Sequence, residues 1–354
     1  MKKILALLLA LAMVFAFAAC GSNDDNKGNA ANGGDTQTTA PTDEGGDATE
    51  EPDNGGDTAA AGETYTVGIC QLVQHPALDA ATQGFRDALT EKLGDAVKFD
   101  EQNASGDSAN CVLISNGFVS SNYDLILANA TPALQAAMTA TTEIPILGTA
   151  VTDYGTALDV TDWTGTTGIN VSGTSDLAPL DGQAEMLHDL FPEAKTVGIL
   201  YCSGEPNSLY QVNAITPYLE SYGYTVKAYS FADTNDVSVV TATACDESDV
   251  LYIPTDNTAA SCTEAINNVA ANSRTPIIAG EEGICAGCGV ATLSISYYDL
   301  GYATGEMAYD ILVNGADVST MPVQFAPKFT KEYNADICSA LGVTVPEDYV
   351  AIGG

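Results

Sequence analysis

Short apolar runs rich in β-branched residues alternate with stretches of helical periodicity along most of this chain, and the alternation occurs twice. Residues 65–70 form a β-rich run, and Pro76 then suits the first position of a helix, where its missing N–H costs nothing. Leu78, Ala81, Phe85 and Leu89 follow at helical spacing. An apolar helix is expected over 111–119, then a strand over 124–128, a turn at 129–132 opening an alanine-rich helix, and a strand over 144–148. The second half repeats the pattern with helices over 183–191, 207–222 and up to 271, and strands over 196–201, 224–229, 250–254 and 275–279. Residues 293–295 and a helix over 298–313 complete it, and Pro217 is expected to kink or shorten its helix. Continuous apolar strands separated by helices predict parallel sheets covered on both faces, hence an α/β fold. About 290 residues exceed one comfortable core, so two lobes of similar size are expected.

The start of the chain points to export. Lys2 and Lys3 precede an apolar run over residues 4–19, and Ala18 and Ala19 stand just before Cys20. A basic start, a run too short to span a bilayer comfortably and a small-residue cleavage site describe a signal peptide, not a membrane span. Phe17-Ala18-Ala19-Cys20-Gly21 resembles a bacterial lipobox, whose cysteine is acylated and becomes the mature N-terminus. Two acyl chains suffice for stable anchoring. Residues 21–63 are mostly small, polar and acidic, with one lysine (Lys27) and no aromatic residue, a composition that predicts a disordered spacer. As a flexible coil it would reach on the order of 40 Å. The net charge is −36, with only 11 Lys plus Arg, so nucleic acid and anionic headgroups are repelled.

Eight cysteines follow Cys20: Cys70, Cys111, Cys202, Cys245, Cys262, Cys285, Cys288 and Cys338. Most stand alone in apolar or helical stretches, where a reduced cysteine behaves as a small hydrophobe. They do not form the dense framework of small secreted domains. Cys285 and Cys288 read as a local disulfide, two plain thiols, a redox pair or half a zinc site. Zinc would want a second pair or nearby histidines, and the chain has only His75 and His188.

Ligands of open parallel sheets bind beyond the carboxyl ends of the strands. That rule collects residues 71–75, 129–131 and 149–153 from the first half, and 203–207, 255–257 and 280–282 from the second. The candidate ligand-binding residues are Gln71, His75, Asn129, Thr131, Thr152, Asp153, Asn207, Thr255, Asp256, Asn257 and Glu281. Helix N-termini at Pro76 and Pro132 suit a carboxylate, with the Thr131 hydroxyl beside the second. Asp153, Asp256, Glu281 and Glu282 suit an ammonium group, and which of them holds it stays open. Both poles together imply a zwitterion such as an amino acid. The competing reading is that Asp256 and Thr131 merely cap helices. Trp163, Tyr154, Tyr201, Tyr297 and Tyr298 either wall an apolar pocket or pack at the hinge.

Six segments carry a resemblance. Gly68-Ile69, the run from Gln71 to Asp79, Ala130-Thr131-Pro132-Ala133, Thr149-Ala150-Val151-Thr152-Asp153, Pro254-Thr255-Asp256-Asn257-Thr258 and Gly280-Glu281-Glu282-Gly283 are similar, in order, to the solute-binding lipoproteins of ABC importers. The group most resembled is that of tryptophan- or tyrosine-transport substrate-binding proteins. The resemblance implies two Rossmann-like lobes in type I periplasmic-binding-protein architecture, joined by three crossovers around a hinged cleft. It implies an aromatic or large apolar amino acid as solute and an ABC permease as membrane partner. The expected organisation is a signal peptide over 1–19, an acylated Cys20 with linker over 20–63, an N-terminal lobe of 64–175 plus 293–322, and a C-terminal lobe of 176–292 plus 323–354. Cys70 and Cys285-Ala286-Gly287-Cys288 depart from the family pattern.

The expectation is therefore a monomeric, non-catalytic binding lipoprotein on the extracytoplasmic face of the cell membrane, with no cofactor, metal or nucleic acid. The rivals are a ligand-sensing lipoprotein of the same fold and a hydrolase built from Asp153, Asp256 and Glu281, since paired carboxylates can do acid–base work. No G-x-S-x-G elbow, phosphate loop or H-E-x-x-H helix occurs.

Overall fold

The computed structural model describes residues 63–161 and 163–353. The expected signal segment, Cys20 and all but the last residue of the linker lie outside the described residues. The first lobe is built from β1 (Tyr65–Gln71), α1 (Pro76–Leu93), β2 (Val97–Asn103), α2 (Ser108–Ser120), β3 (Leu125–Asn129), α3 (Thr131–Ala140), β4 (Ile146–Val151), α4 (Tyr154–Ala157) and β5 (Val171–Ser175). The second contains α5 (Leu180–Leu190), β6 (Thr196–Cys202), α6 (Pro206–Ser221), β7 (Thr225–Phe231), α7 (Val237–Glu247) and β8 (Val250–Ile253). It continues with α8 (Asn257–Ser261), α9 (Thr263–Ser273), β9 (Ile277–Ala279), α10 (Glu282–Cys288) and β10 (Ala291–Ser294). Helix α11 (Tyr297–Leu312) and β11 (Gln324–Phe325) return to the first lobe, while β12 (Thr330–Tyr333), α12 (Ala335–Leu341) and β13 (Val350–Ala351) finish the second.

The first sheet runs β11-β5-β4-β3-β1-β2 and is parallel throughout. The second runs β13-β12-β10-β9-β8-β6-β7, with β12 antiparallel to β10. Strands β3, β4 and β8 are buried along their whole length. This is the consequence of helices packed on both faces, and each lobe accordingly has two apolar clusters, one per face. In the first lobe α1 lies directly on α11. A Cβ on Gly84 or Gly301 would collide with the backbone of the other helix, at Tyr298 and Ala81 respectively, so the close approach demands glycine.

The chain crosses between lobes three times, at residues 176–179, 295–296 and 326–329. Strand pairing moves two of the expected boundaries. Residues 293–294 belong to the second lobe, because β10 pairs with β9 and β12 up to Ser294. Gln324 and Phe325 belong to the first, because they pair with Thr174 and Ser175 of β5. Pro217 does not shorten α6, which runs on to Ser221. Pro217 and Asn213, whose carbonyl loses its partner, both face solvent, where water can satisfy the freed group.

Candidate functional site: the cleft between the lobes

The carboxyl ends of β1, β3 and β4 face those of β6, β8 and β9, and between them lies a small, tightly closed polar pocket. Seven of the eleven expected residues line it: His75, Thr152, Asn207, Thr255, Asp256, Asn257 and Glu281. Leu78, Ala150, Ala260 and Tyr297 add apolar wall, and Asp176 adds a carboxyl. Gln71, Asn129, Thr131 and Asp153 do not line it. The Gln71 amide is consumed inside the first lobe, donating to Val73 O (3.0 Å) and Asp79 Oδ1 (2.7 Å) and accepting from Thr82 Oγ1 (2.7 Å). Asn129 likewise donates to Leu78 O and Thr82 Oγ1, both at 2.9 Å. Asp153 caps α4 through Thr156 N at 2.7 Å. Thr131 is the first residue of α3 and its buried hydroxyl has no partner.

Three carboxylates at the cleft are spent on helix ends. Asp256 accepts from Ala259 N (2.8 Å), capping α8, and from Cys202 N (2.6 Å). Glu281 caps α10 through Gly283 N and Ile284 N. Glu205 gathers Thr258 N and Oγ1 on Oε1, and Asn257 N, Asn257 Nδ2 and Asn207 Nδ2 on Oε2. The capping reading of Asp256 therefore holds. Burial pushes the Asp256 carboxyl up to about 7, with the nearby Glu205 charge adding to it, and backbone N–H donors pull the other way. Burial likewise raises Glu281 to about 7 and Asp176 to about 6.

One bond spans the cleft. Asn257 Nδ2 donates to Glu205, which leaves Asn257 Oδ1 to accept from His75 Nε2 at 3.2 Å. His75 precedes α1 in the first lobe, and Asn257 begins α8 in the second. Among the described residues no other side-chain hydrogen bond joins the lobes away from the crossovers. Burial lowers the His75 pKa, so the ring is neutral, with Nε2 protonated by its bond and Nδ1 a bare acceptor.

The cavity wall carries buried polar atoms that the protein itself does not satisfy. His75 Nδ1, Asp176 Oδ1, Asn207 Oδ1 and Thr255 Oγ1 line it without a partner, and Thr131 Oγ1 and Asn129 Oδ1 lie unpartnered at the neighbouring strand end. Each costs roughly 1–3 kcal/mol of desolvation, a cost that a polar molecule in the cavity removes. Backbone strain collects at the same edge: Ala130 (φ 90) and Ala150 (φ 52) take positive φ just where β3 and β4 end.

Two participants escape a reading of the sequence. Asp176 follows a strand of Ser, Gly and Thr with no apolar run to betray it, and Glu205 lies inside the 203–207 segment with nothing local to mark it. Tyr297 is one of five aromatics considered for a pocket wall, and the structure places the other four elsewhere. Tyr154 stacks on Trp163 inside the first lobe, Tyr201 packs in the second, and Tyr298 bonds Asp87 on the outside. Cys285 and Cys288 lie on α10 as buried free thiols, and no cluster able to hold a metal occurs among the described residues.

Two α/β lobes with parallel sheets, hinged by three crossovers and shut over a polar cavity, define a bilobal solute-binding protein of the type I periplasmic class. The profile of the ABC transporter substrate binding protein family matches residues 66–352, and the chain belongs to that family. It is 39% identical over 278 residues to a tyrosine-binding protein of Clostridioides difficile (strain R20291), covering 78% of this chain and 80% of that one. A Streptococcus pneumoniae ABC domain in complex with L-Trp is 33% identical, with a TM-score of 0.77 over 80% of this chain and 97% of the other. The ligand-free, open structure of a Clostridium difficile substrate binding protein is 40% identical over 82% of this chain and 99% of that one, yet its TM-score is 0.63. Greater identity with poorer superposition is what a changed angle between lobes produces, and it agrees with the His75–Asn257 bond that spans the cleft here.

Proposed function

We propose that this chain captures an aromatic amino acid between its lobes and presents it to an ABC permease. The observation that carries the reading is the set of buried, unpartnered polar atoms on the cavity wall. Relatives that bind tyrosine or L-Trp support the aromatic class. At one end of the cavity the first turn of α1, with Leu78 in the wall, offers free backbone N–H groups and positive dipole to a carboxylate. The ring of Tyr297, with Leu78 and Ala260, offers apolar surface to a side chain.

Binding without turnover is the reading favoured by the carboxylates. Asp256 and Glu281 hold backbone N–H groups with both oxygens, which removes them from acid–base work. Delivery rests on an acylated Cys20 that keeps a monomeric receptor at the extracytoplasmic face of the membrane, beside its permease. No helix among the described residues is long and apolar enough to cross a membrane.

A thermal-shift screen of the twenty amino acids tests the solute class. A ligand at about 100 times its Kd stabilises by roughly 2.7 kcal/mol, so tyrosine, tryptophan or phenylalanine should raise the midpoint by several degrees. A flat screen overturns the proposal.

A further inference from the structure

The cavity wall holds several carboxyl groups, and their hydrogen bonds separate them sharply. Both oxygens of Asp256 accept backbone N–H groups, as do both oxygens of Glu281. Glu205 behind them is fully engaged with five donors. Asp153 lies outside the cavity wall and caps α4. Asp176 is different. Its Oδ2 accepts from Tyr297 Oη at 2.9 Å, and its Oδ1 is buried with no partner. The residue is only 6% exposed. Burial raises its pKa to about 6, against the pull of the Tyr297 and Thr152 hydroxyls, which leaves it largely ionised at neutral pH.

Two more oxygens complete the pattern. The Asn207 amide is oriented by its Nδ2, which donates to Glu205 Oε2 (3.0 Å) and Thr255 O (3.2 Å), so Oδ1 must be the bare acceptor. Thr255 Oγ1 is unpartnered on the same wall. A primary ammonium group has three N–H donors and no acceptor. The cavity offers one unpaired carboxylate oxygen and two unpaired neutral oxygens.

We infer that Asp176 is the receptor for the solute's ammonium group, with Asn207 Oδ1 and Thr255 Oγ1 as the other two acceptors. This rests on the proposal that the solute is an amino acid. The placement also ties recognition to closure. Asp176 lies in the first crossover, after β5, and Tyr297 directly follows the second, so the bond between them joins two of the three hinge segments. Asn207 and Thr255 belong to the second lobe. An ammonium group held by all three therefore bridges hinge and lobe, and an analogue lacking it cannot.

The test is a selectivity ratio. Calorimetric titrations of the wild-type chain and Asp176→Asn use L-tyrosine and 3-(4-hydroxyphenyl)propanoate, which lacks only the amino group. Removing one partner of a buried charge pair costs about 30-fold in affinity or more, so Asp176→Asn should weaken L-tyrosine by at least that factor and leave the desamino acid unchanged or tighter. An unchanged ratio in Asp176→Asn overturns this inference while leaving the solute class standing. Absence of L-tyrosine binding by the wild-type chain overturns the solute class and this inference with it. Should Asp176→Asn not fold, the same ratio measured on Asp176→Ser decides between the same outcomes.

Discussion

The bond between His75 Nε2 and Asn257 Oδ1 acts as a latch on the closed cleft, and its worth can be measured by a double-mutant cycle. At 3.2 Å, between neutral partners in a buried site, it should contribute about 0.5–1.5 kcal/mol to closure. Because solute binding includes closure, loss of the latch should weaken affinity by roughly 2- to 13-fold. The surroundings support a value confined to this range. Asn257→Ala removes one donor from Glu205, which keeps the backbone N–H groups of residues 257 and 258, the Thr258 hydroxyl and Asn207 Nδ2. That donor is also present when the cleft is open, so it cancels from the binding free energy. His75→Ala loses the latch and any contact of Nδ1 with solute, and is expected to be the worse of the two single variants. Titration of both single variants and the double variant with L-tyrosine yields the coupling energy, and stopped-flow release should locate the effect in koff. A coupling below about 0.3 kcal/mol lies within ordinary additivity and refutes the latch.

Three further outcomes are expected. The carboxyls of Asp176, Asp256 and Glu281, at about 6, 7 and 7 in the closed cleft against ordinary values of 3.8, 3.8 and 4.5, favour their protonated forms there. Their help to closure is complete below about pH 4 and lost as pH rises through 6 to 7. Buried His75 acts in the opposite sense only below its ordinary value of 6.5, so between pH 6.5 and 8 the carboxyls decide. Without solute the radius of gyration by X-ray scattering should therefore grow over that interval, and a decrease contradicts the assignment. Gly301→Ala forces a Cβ into the Ala81 backbone across the α1–α11 contact and should cost about 3 kcal/mol, the upper end of overpacking, read as a lowered denaturation midpoint. All eight cysteines from Cys70 onward are free and seven are buried, so native protein should show at most slow reaction at Cys262, and urea without reductant should expose all eight to a thiol reagent; fewer would reveal a disulfide.

The strands that the sequence displays best are those that sit mid-sheet. Residues 125–128 and 250–253 are apolar throughout because helices cover them on both sides. Strand β2 is not among the expected strands, since as an edge strand it shows water its polar faces, and its Val-Lys-Phe-Asp-Glu-Gln-Asn sequence lacks a continuous apolar run. Strand β5 is hidden for another reason. Its five residues are all buried, but hydroxyl contacts do the packing: Thr174 bonds Thr149 and Thr304, and Ser172 bonds Met321 O. Helix α7 and the small strands β12 and β13 are also absent from the expected elements, and the single helix expected up to residue 271 is broken at Cys262 into α8 and α9.

The location of the site is legible because a rule about parallel sheets converts strand ends into a place. The roles within it are not. A Glu-Glu-Gly or Asp-Asn at a strand end announces a carboxylate near a cleft, but whether its oxygens are already taken depends on neighbouring backbone N–H groups. Asp256 and Glu281 are taken, and Asp176 is half free. That distinction arises from the crossover that carries Asp176, a three-dimensional fact without a local signature.

Dialysis of the purified protein against an equimolar mixture of the twenty amino acids, followed by denaturation and chromatography of what was retained, asks the central question directly. Capture of an aromatic solute predicts close to one equivalent of an aromatic amino acid per chain. Retention of none, or of a non-aromatic amino acid in its place, contradicts it.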